Sequence, residues 1–168
     1  MYLVVGTGRC GSVYMARLLT SLGIPCSHEA IFNYKGLDFA KKVLIGEAPL
    51  ETSFCSTHDI LNNEEKLEDW LEGEIIAESS YMAAPFLNES FLNEVKIIHV
   101  VRNPFKVISS FTEDVKFFED GAIYKEWKDF VFFHLPELKK IKDPIEMACY
   151  FYVTWNRMIE NKYSNNGY

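Results

Sequence analysis

Cysteine is scarce in this chain, and none is paired by spacing. Cys10, Cys26, Cys55 and Cys149 are scattered through 168 residues with no Cys-x-x-Cys pair. That pattern excludes a disulfide framework and a zinc site as the basis of the fold, and it reads as reduced thiols in a cytoplasm-like compartment. No cluster of His, Cys and carboxylates has metal-ligand spacing, so no metal is expected. There is also no apolar run of about 18 residues, which excludes a transmembrane helix. The apolar start Met1–Val5 breaks at Gly6-Thr7-Gly8-Arg9 before a signal-peptide core could form, so the expected location is cytoplasmic. Positive charge is in deficit: 17 Lys and Arg face 24 Asp and Glu, a net charge of −7. A nucleic-acid partner, which needs a basic face, is not expected. A local anion site stays open, because a few arginines and backbone N–H groups suffice for one phosphate. Repeats, low-complexity tracts and Pro/Gly/Ser-rich linkers are absent, and residues 1–168 read as a single domain.

What the chain does have is enough apolar surface for a core. Hydrophobic residues make up 48% and aromatics 15% of the composition, and a chain of this length needs no staples to fold. Short apolar runs at Tyr2–Val5, Ile24–Glu29, Glu74–Glu78 and Val95–Val101 predict strands. Helical spacing predicts helices over Ser12–Leu22, Leu37–Ile45, Glu64–Leu71, Ala83–Asn93, Phe105–Phe111, Tyr124–Phe133 and Pro144–Glu160. Asp143 caps the last of these, and Pro104 opens the Phe105 helix. Strands alternating with helices predict an α/β fold, a parallel sheet with helices on both faces. The aromatic stretch Phe117–Phe133 reads as core, with a flap over a binding site as the alternative. Glu64, Glu65, Glu68, Asp69 and Glu72 read as a solvated helix face.

The sharpest motif is Gly6-Thr7-Gly8-Arg9-Cys10-Gly11-Ser12, between the first strand and the first helix. Glycines allow the turn, and N–H groups at the helix start can cradle a phosphate. Gly6 and Gly11 have the spacing of the nucleotide-binding loop G-x-x-x-x-G-K-[ST], but Ser12 follows Gly11 with no lysine. The residue that would reach a triphosphate is missing and Arg9 sits inside the loop instead, which disfavours a kinase or ATPase. A second segment, Lys96 to Phe111, carries an apolar strand, then Arg102-Asn103-Pro104, then Ser110. A strand end is where open α/β sheets bind ligands, and Arg102 and Ser110 offer a guanidinium fork and a hydroxyl to a phosphate.

Together and in this order, the two segments resemble the sulfotransferase superfamily. Arg9, Gly11 and Ser12 match its 5′-phosphosulfate loop [KR]-x-G-[ST], and Arg102 and Ser110 match the spacing of its 3′-phosphate signature. Gly23-Ile24-Pro25-Cys26-Ser27-His28-Glu29 is similar to the second strand of bacterial and tyrosylprotein-type members, where a glutamate is the base. Glu78-Ser79-Ser80-Tyr81 and Tyr152, Trp155 and Asn156 are weaker likenesses. No late Gly-x-x-Gly-x-[KR] segment is present, so the likeness is to a minimal or C-terminally shortened member. The resemblance implies a P-loop three-layer sandwich and the donor 3′-phosphoadenosine 5′-phosphosulfate. It further implies sulfuryl transfer to a hydroxyl or amine of a carbohydrate, lipid, peptide or small-molecule acceptor. Gly8, Arg9, Cys10, Gly11, Ser12, Val13, Arg102 and Ser110 are the expected donor-binding residues, and Arg9, Glu29 and His28 the expected catalytic ones. Because strand neighbours point to opposite faces, only one of His28 and Glu29 is expected to face the site. His58 is a lesser candidate base, His99 reads as a packed core histidine, and His134 is uninformative. A nucleotide- or phosphate-binding protein without transfer activity is the alternative function, and a small-metabolite kinase a more distant one.

Overall fold

A computed structural model of the chain describes residues 1–49, 77–119 and 124–164. Strands β1 (Tyr2–Gly6), β2 (Cys26–His28), β3 (Ala77–Ser79) and β4 (Lys96–Val100) pair in parallel in the order β2-β3-β1-β4. Around them lie helices α1 (Ser12–Ser21), α2 (Leu37–Leu44), α3 (Pro104–Ser109), α4 (Lys125–His134) and α5 (Pro144–Ser164). The chain leaves β1 for β2, returns to β3, then crosses β1 to reach β4. The carboxyl end of β1 therefore lies where the crossing direction reverses, the usual ligand position in such sheets.

Side-chain alternation sorts the core into two layers. Val4 points to one face, where it packs with Cys26 and Ala77 of the sheet and Ala16 and Leu19 of α1. Leu3 and Val5 point to the other, against Val107 of α3 and a large cluster with Phe151 and Trp155 of α5. Within α5, Ala148, Phe151, Trp155 and Ile159 recur at helical spacing, and each is fully buried. The Trp155 indole N–H also donates to the Tyr81 carbonyl at 3.1 Å, so the ring is both packed and satisfied. The expected α/β class with a parallel sheet and helices on both faces is thus present.

Several boundaries differ from the sequence expectation. β2 stops at His28, because Glu29 adopts φ 54°, a left-handed conformation that cannot continue a strand. The stretch expected as a helix over Ala83–Asn93 is two 3₁₀ segments, Tyr81–Phe86 and Ser90–Leu92. Pro85 inside the first removes a backbone donor, which disfavours a longer α-helix. The helix after Pro104 is α-helical only to Ser109 and then widens into a π turn over Ser110–Asp114. The expected cap at Asp143 is present, accepting from the Glu146 N–H at 2.9 Å, Pro104 opens its helix as expected, and Asn103 before it adds a cap by accepting from the Lys106 N–H. The strand expected from Glu74 is seen as Ala77–Ser79. The helix expected over Glu64–Leu71, the acidic face and Cys55 lie outside the described residues.

Candidate functional site

The glycine-rich segment leaves β1 and turns directly into α1. Arg9 at φ 65° and Gly11 at φ 111° are both left-handed. For Gly11, which caps α1, this costs little; for Arg9 it stores about 1–2 kcal/mol of backbone strain. Gly8 is required for a different reason: a Cβ there would lie 2.9 Å from Cζ of Phe111. No side chain caps α1, so the first-turn N–H groups and the positive end of the helix dipole are left for an anion. The Cys10 backbone N–H donates to the Thr7 carbonyl at 3.3 Å, closing the turn of the loop. The Cys10 thiol is buried behind the loop against Gly6, and burial pushes it up to about 11, so it is a neutral packing group.

The second segment meets this loop directly. Arg102, two residues beyond β4, donates from Nη1 to the Arg9 carbonyl at 3.0 Å. Arg9 in turn donates from Nε to Ser110 Oγ at 2.9 Å. Both guanidinium groups are on exposed residues, whereas Ser110 is buried in the π turn. The Tyr152 hydroxyl of α5 donates to the Arg102 carbonyl at 2.8 Å, fixing the strand exit from behind. Arg9, Arg102, Ser110 and Ser12 are thus one neighbourhood drawn from sequence-distant parts.

Across the cleft stand His28 and Glu29, and here the sequence expectation needs correction. Both residues line the same cleft. The alternation rule fails because Glu29 lies past the end of β2, and its left-handed backbone swings the side chain round to the His28 side. His28 Nε2 is 3.0 Å from Ser12 Oγ and 3.8 Å from Glu29 Oε1. Serine and carboxylate approach the same ring nitrogen, so this is not the relay of a serine hydrolase, in which they take opposite nitrogens. Glu29 Oε2 accepts the indole N–H of Trp127 at 3.4 Å. Burial pushes the Glu29 carboxyl up to about 7, the Trp127 bond opposes this, and the charge of Glu78 adds to it.

Between the two sides lies a cleft of about 160 Å³. Gly8, Arg9, Ser12 and Val13 form one wall, and the rings of Tyr81, Phe111, Phe117, Tyr124 and Trp127 form the rest with Val115, His28 and Glu29. The aromatic stretch therefore divides: Phe118 and Phe130 are core, while Phe117, Tyr124 and Trp127 face the cleft. Trp127 is also braced by Tyr34, with ring centroids 4.7 Å apart. Sequence reasoning did not single out Trp127, because nothing in a helical aromatic repeat marks which ring turns outward. His99, expected as a packed core histidine, is only half-buried, with its Nε2 2.9 Å from Asn156 Oδ1 on α5. His134 sits against Phe86 and Phe130, away from the cleft, and His58 lies outside the described residues. Among the described residues no group of side chains is arranged to hold a metal, and no helix is long and apolar enough to cross a membrane. Comparisons with protein-family models, curated proteins and solved structures gave no match, so the site stands on its own chemistry.

Proposed function

We propose that this chain is a sulfotransferase-like P-loop protein that moves the sulfuryl group of 3′-phosphoadenosine 5′-phosphosulfate to an acceptor hydroxyl or amine. One observation carries the reading. The loop before α1 and the Arg102–Ser110 segment, 93 positions apart at their point of contact, meet beside a carboxylate held near neutrality. The donor set fits the donor's two anionic ends: an uncapped helix start with Ser12 for one, and Arg102 with Ser110 for the other.

When bound, the donor supplies a sulfuryl group carried on a phosphate leaving group. Backbone N–H groups of Gly8–Ser12, apart from that of Cys10, which closes the loop on the Thr7 carbonyl, hold the 5′-phosphate, and Ser12 adds a hydroxyl. The Arg9 guanidinium neutralises charge that grows on the bridging oxygen as the bond breaks. Arg102 and Ser110 hold the 3′-phosphate, for which Arg9 must first release Ser110 Oγ. Glu29 takes the acceptor's proton, and its position near pH 7 suits a general base at neutral pH. His28 lies between Ser12 and Glu29 and passes the orientation of one to the other. The aromatic walls exclude water and receive the apolar body of the acceptor.

Calorimetry with 3′-phosphoadenosine 5′-phosphate and with ATP, followed by a radiolabelled sulfate-transfer assay over carbohydrate, lipid, peptide and small-molecule acceptors, tests this reading. The expected result is a preference of about tenfold or more for the 3′-phosphorylated ligand, together with labelled product. Preference for ATP would return the kinase reading. Tight binding with no transfer to any acceptor would favour the binding-only alternative.

A further inference from the structure

Glu78 is a fully buried carboxylate on a short central strand, 0% exposed, and the chemistry above leaves it without a task. Its placement supplies one. Glu78 stands in β3 opposite Ser27 of β2 and Leu3 of β1. Its Oε1 accepts the backbone N–H of Ile31 at 3.1 Å and of Phe32 at 3.4 Å, and its Oε2 accepts the Ser27 hydroxyl. Ser80, two residues on and therefore on the same side, donates to the Phe32 carbonyl at 2.6 Å. The Glu29 N–H donates to the Ser79 carbonyl at 3.2 Å. The bend carrying Glu29 is thus fastened from three successive residues of one strand end. It needs fastening, since Glu29 itself is in the left-handed region that non-glycine residues avoid.

We propose that Glu78 is the positioning residue for Glu29: its buried carboxylate locks the bend that turns Glu29 into the cleft, and its charge acts on Glu29. The first half is a matter of hydrogen bonds. A carboxylate is the one side chain that can accept from two backbone N–H groups and a hydroxyl together while donating nothing. The second half follows from two carboxylates in one buried region, where a like charge disfavours ionisation of its neighbour. Among the described residues, the groups facing Glu29 are His28 at the end of β2, Tyr81 after β3, Trp127 and Tyr124 from α4 and its approach, and Arg9 from the loop. Of these, His28 and Arg9 favour the anion when charged, and among the described residues Glu78 is the carboxylate that opposes it.

The proposal rests on Glu29 as the proton acceptor, but its readout does not. Side-chain carboxyl NMR of the whole chain, with the Glu29 resonance identified by its loss in Glu29→Gln, follows the midpoint directly. Glu78→Gln keeps the shape and an oxygen for the Ile31 and Phe32 N–H groups but removes the charge. The Glu29 midpoint is expected to fall from about 7 by about half a unit or more. Ser27→Ala is the second variant. Without that hydroxyl Glu78 holds its proton more firmly, which lowers the charge beside Glu29, so the midpoint should again fall. If transfer is measurable, the acid limb of kcat/KM should move with it. An unchanged Glu29 midpoint in either folded variant overturns the proposal. A shifted midpoint in a protein that transfers no sulfate upholds the action of Glu78 on Glu29 and sinks the catalytic reading instead.

Discussion

The two sides of the cleft are built on opposite principles. The anion side puts Arg9 and Arg102 on exposed residues, holds them by single hydrogen bonds to a hydroxyl and a carbonyl, and leaves a helix start uncapped. The acid side buries Glu78 completely and Glu29 nearly so, and fixes them with backbone N–H groups and an indole. Exposed cations cost the fold little and can re-pair with a ligand. Buried carboxylates cost stability, because burial penalises the charged form. Backbone strain is present on both sides, at Arg9 and at Glu29; the difference teaches where this chain concentrates the cost of buried charge, which is on the side expected to handle the proton.

The largest effect should come from breaking the acid side. Glu29→Gln preserves size and one acceptor oxygen but cannot take a proton, so kcat should fall about 10²–10⁴-fold with donor affinity nearly unchanged. Steady-state kinetics beside calorimetry checks this, with His28→Ala as the control that falls less. Next comes Arg9 on the anion side. Arg9→Ala should lower kcat by about 10²–10³-fold and weaken donor binding far less, since the charge it meets grows during the reaction. Arg9→Lys should keep part of the rate. A variant that loses affinity and keeps kcat would make Arg9 an anchor only.

A smaller effect sharpens the contrast through stability. Glu29 and Glu78 are both pushed up to about 7, chiefly by burial. A carboxyl raised in the folded state contributes stability that is fully present below its unfolded value and is lost as pH rises through the folded one. The chain should therefore lose stability between about pH 4.5 and 7, and change little from these groups above that range. Denaturant melts across this range should show the slope, and Glu29→Gln should flatten part of it. A matching melt on Arg102→Ala, from the exposed side, should run parallel to the unaltered chain.

The same division decided what the sequence could reveal. The anion side is local and ordered: Gly6–Ser12 and Arg102–Ser110 carry their chemistry in short segments, so the strand–loop–helix setting and the helix start at Pro104 were readable. The acid side is assembled through space. Glu29 enters the cleft through a left-handed backbone that the alternation rule cannot foresee. Glu78 becomes relevant only because β3 lies between β2 and β1. Trp127 reaches Glu29 from 98 positions away. The class of fold followed from periodicity, whereas the short β2 and the 3₁₀ and π segments depended on Glu29, Pro85 and the packing around Ser110.

The central claim is that two sequence-distant segments form one clamp for a doubly phosphorylated adenosine. Calorimetry of the unaltered chain and of Arg102→Ala, each with 3′-phosphoadenosine 5′-phosphate and adenosine 5′-phosphate, tests it most directly. The account predicts that the 3′-phosphate strengthens binding to the unaltered chain by about 1.5–3 kcal/mol. In Arg102→Ala most of that gain should vanish, while binding of the ligand lacking the 3′-phosphate hardly changes. Equal affinity of the unaltered chain for the two nucleotides, or a 3′-phosphate gain that survives in Arg102→Ala, would contradict it.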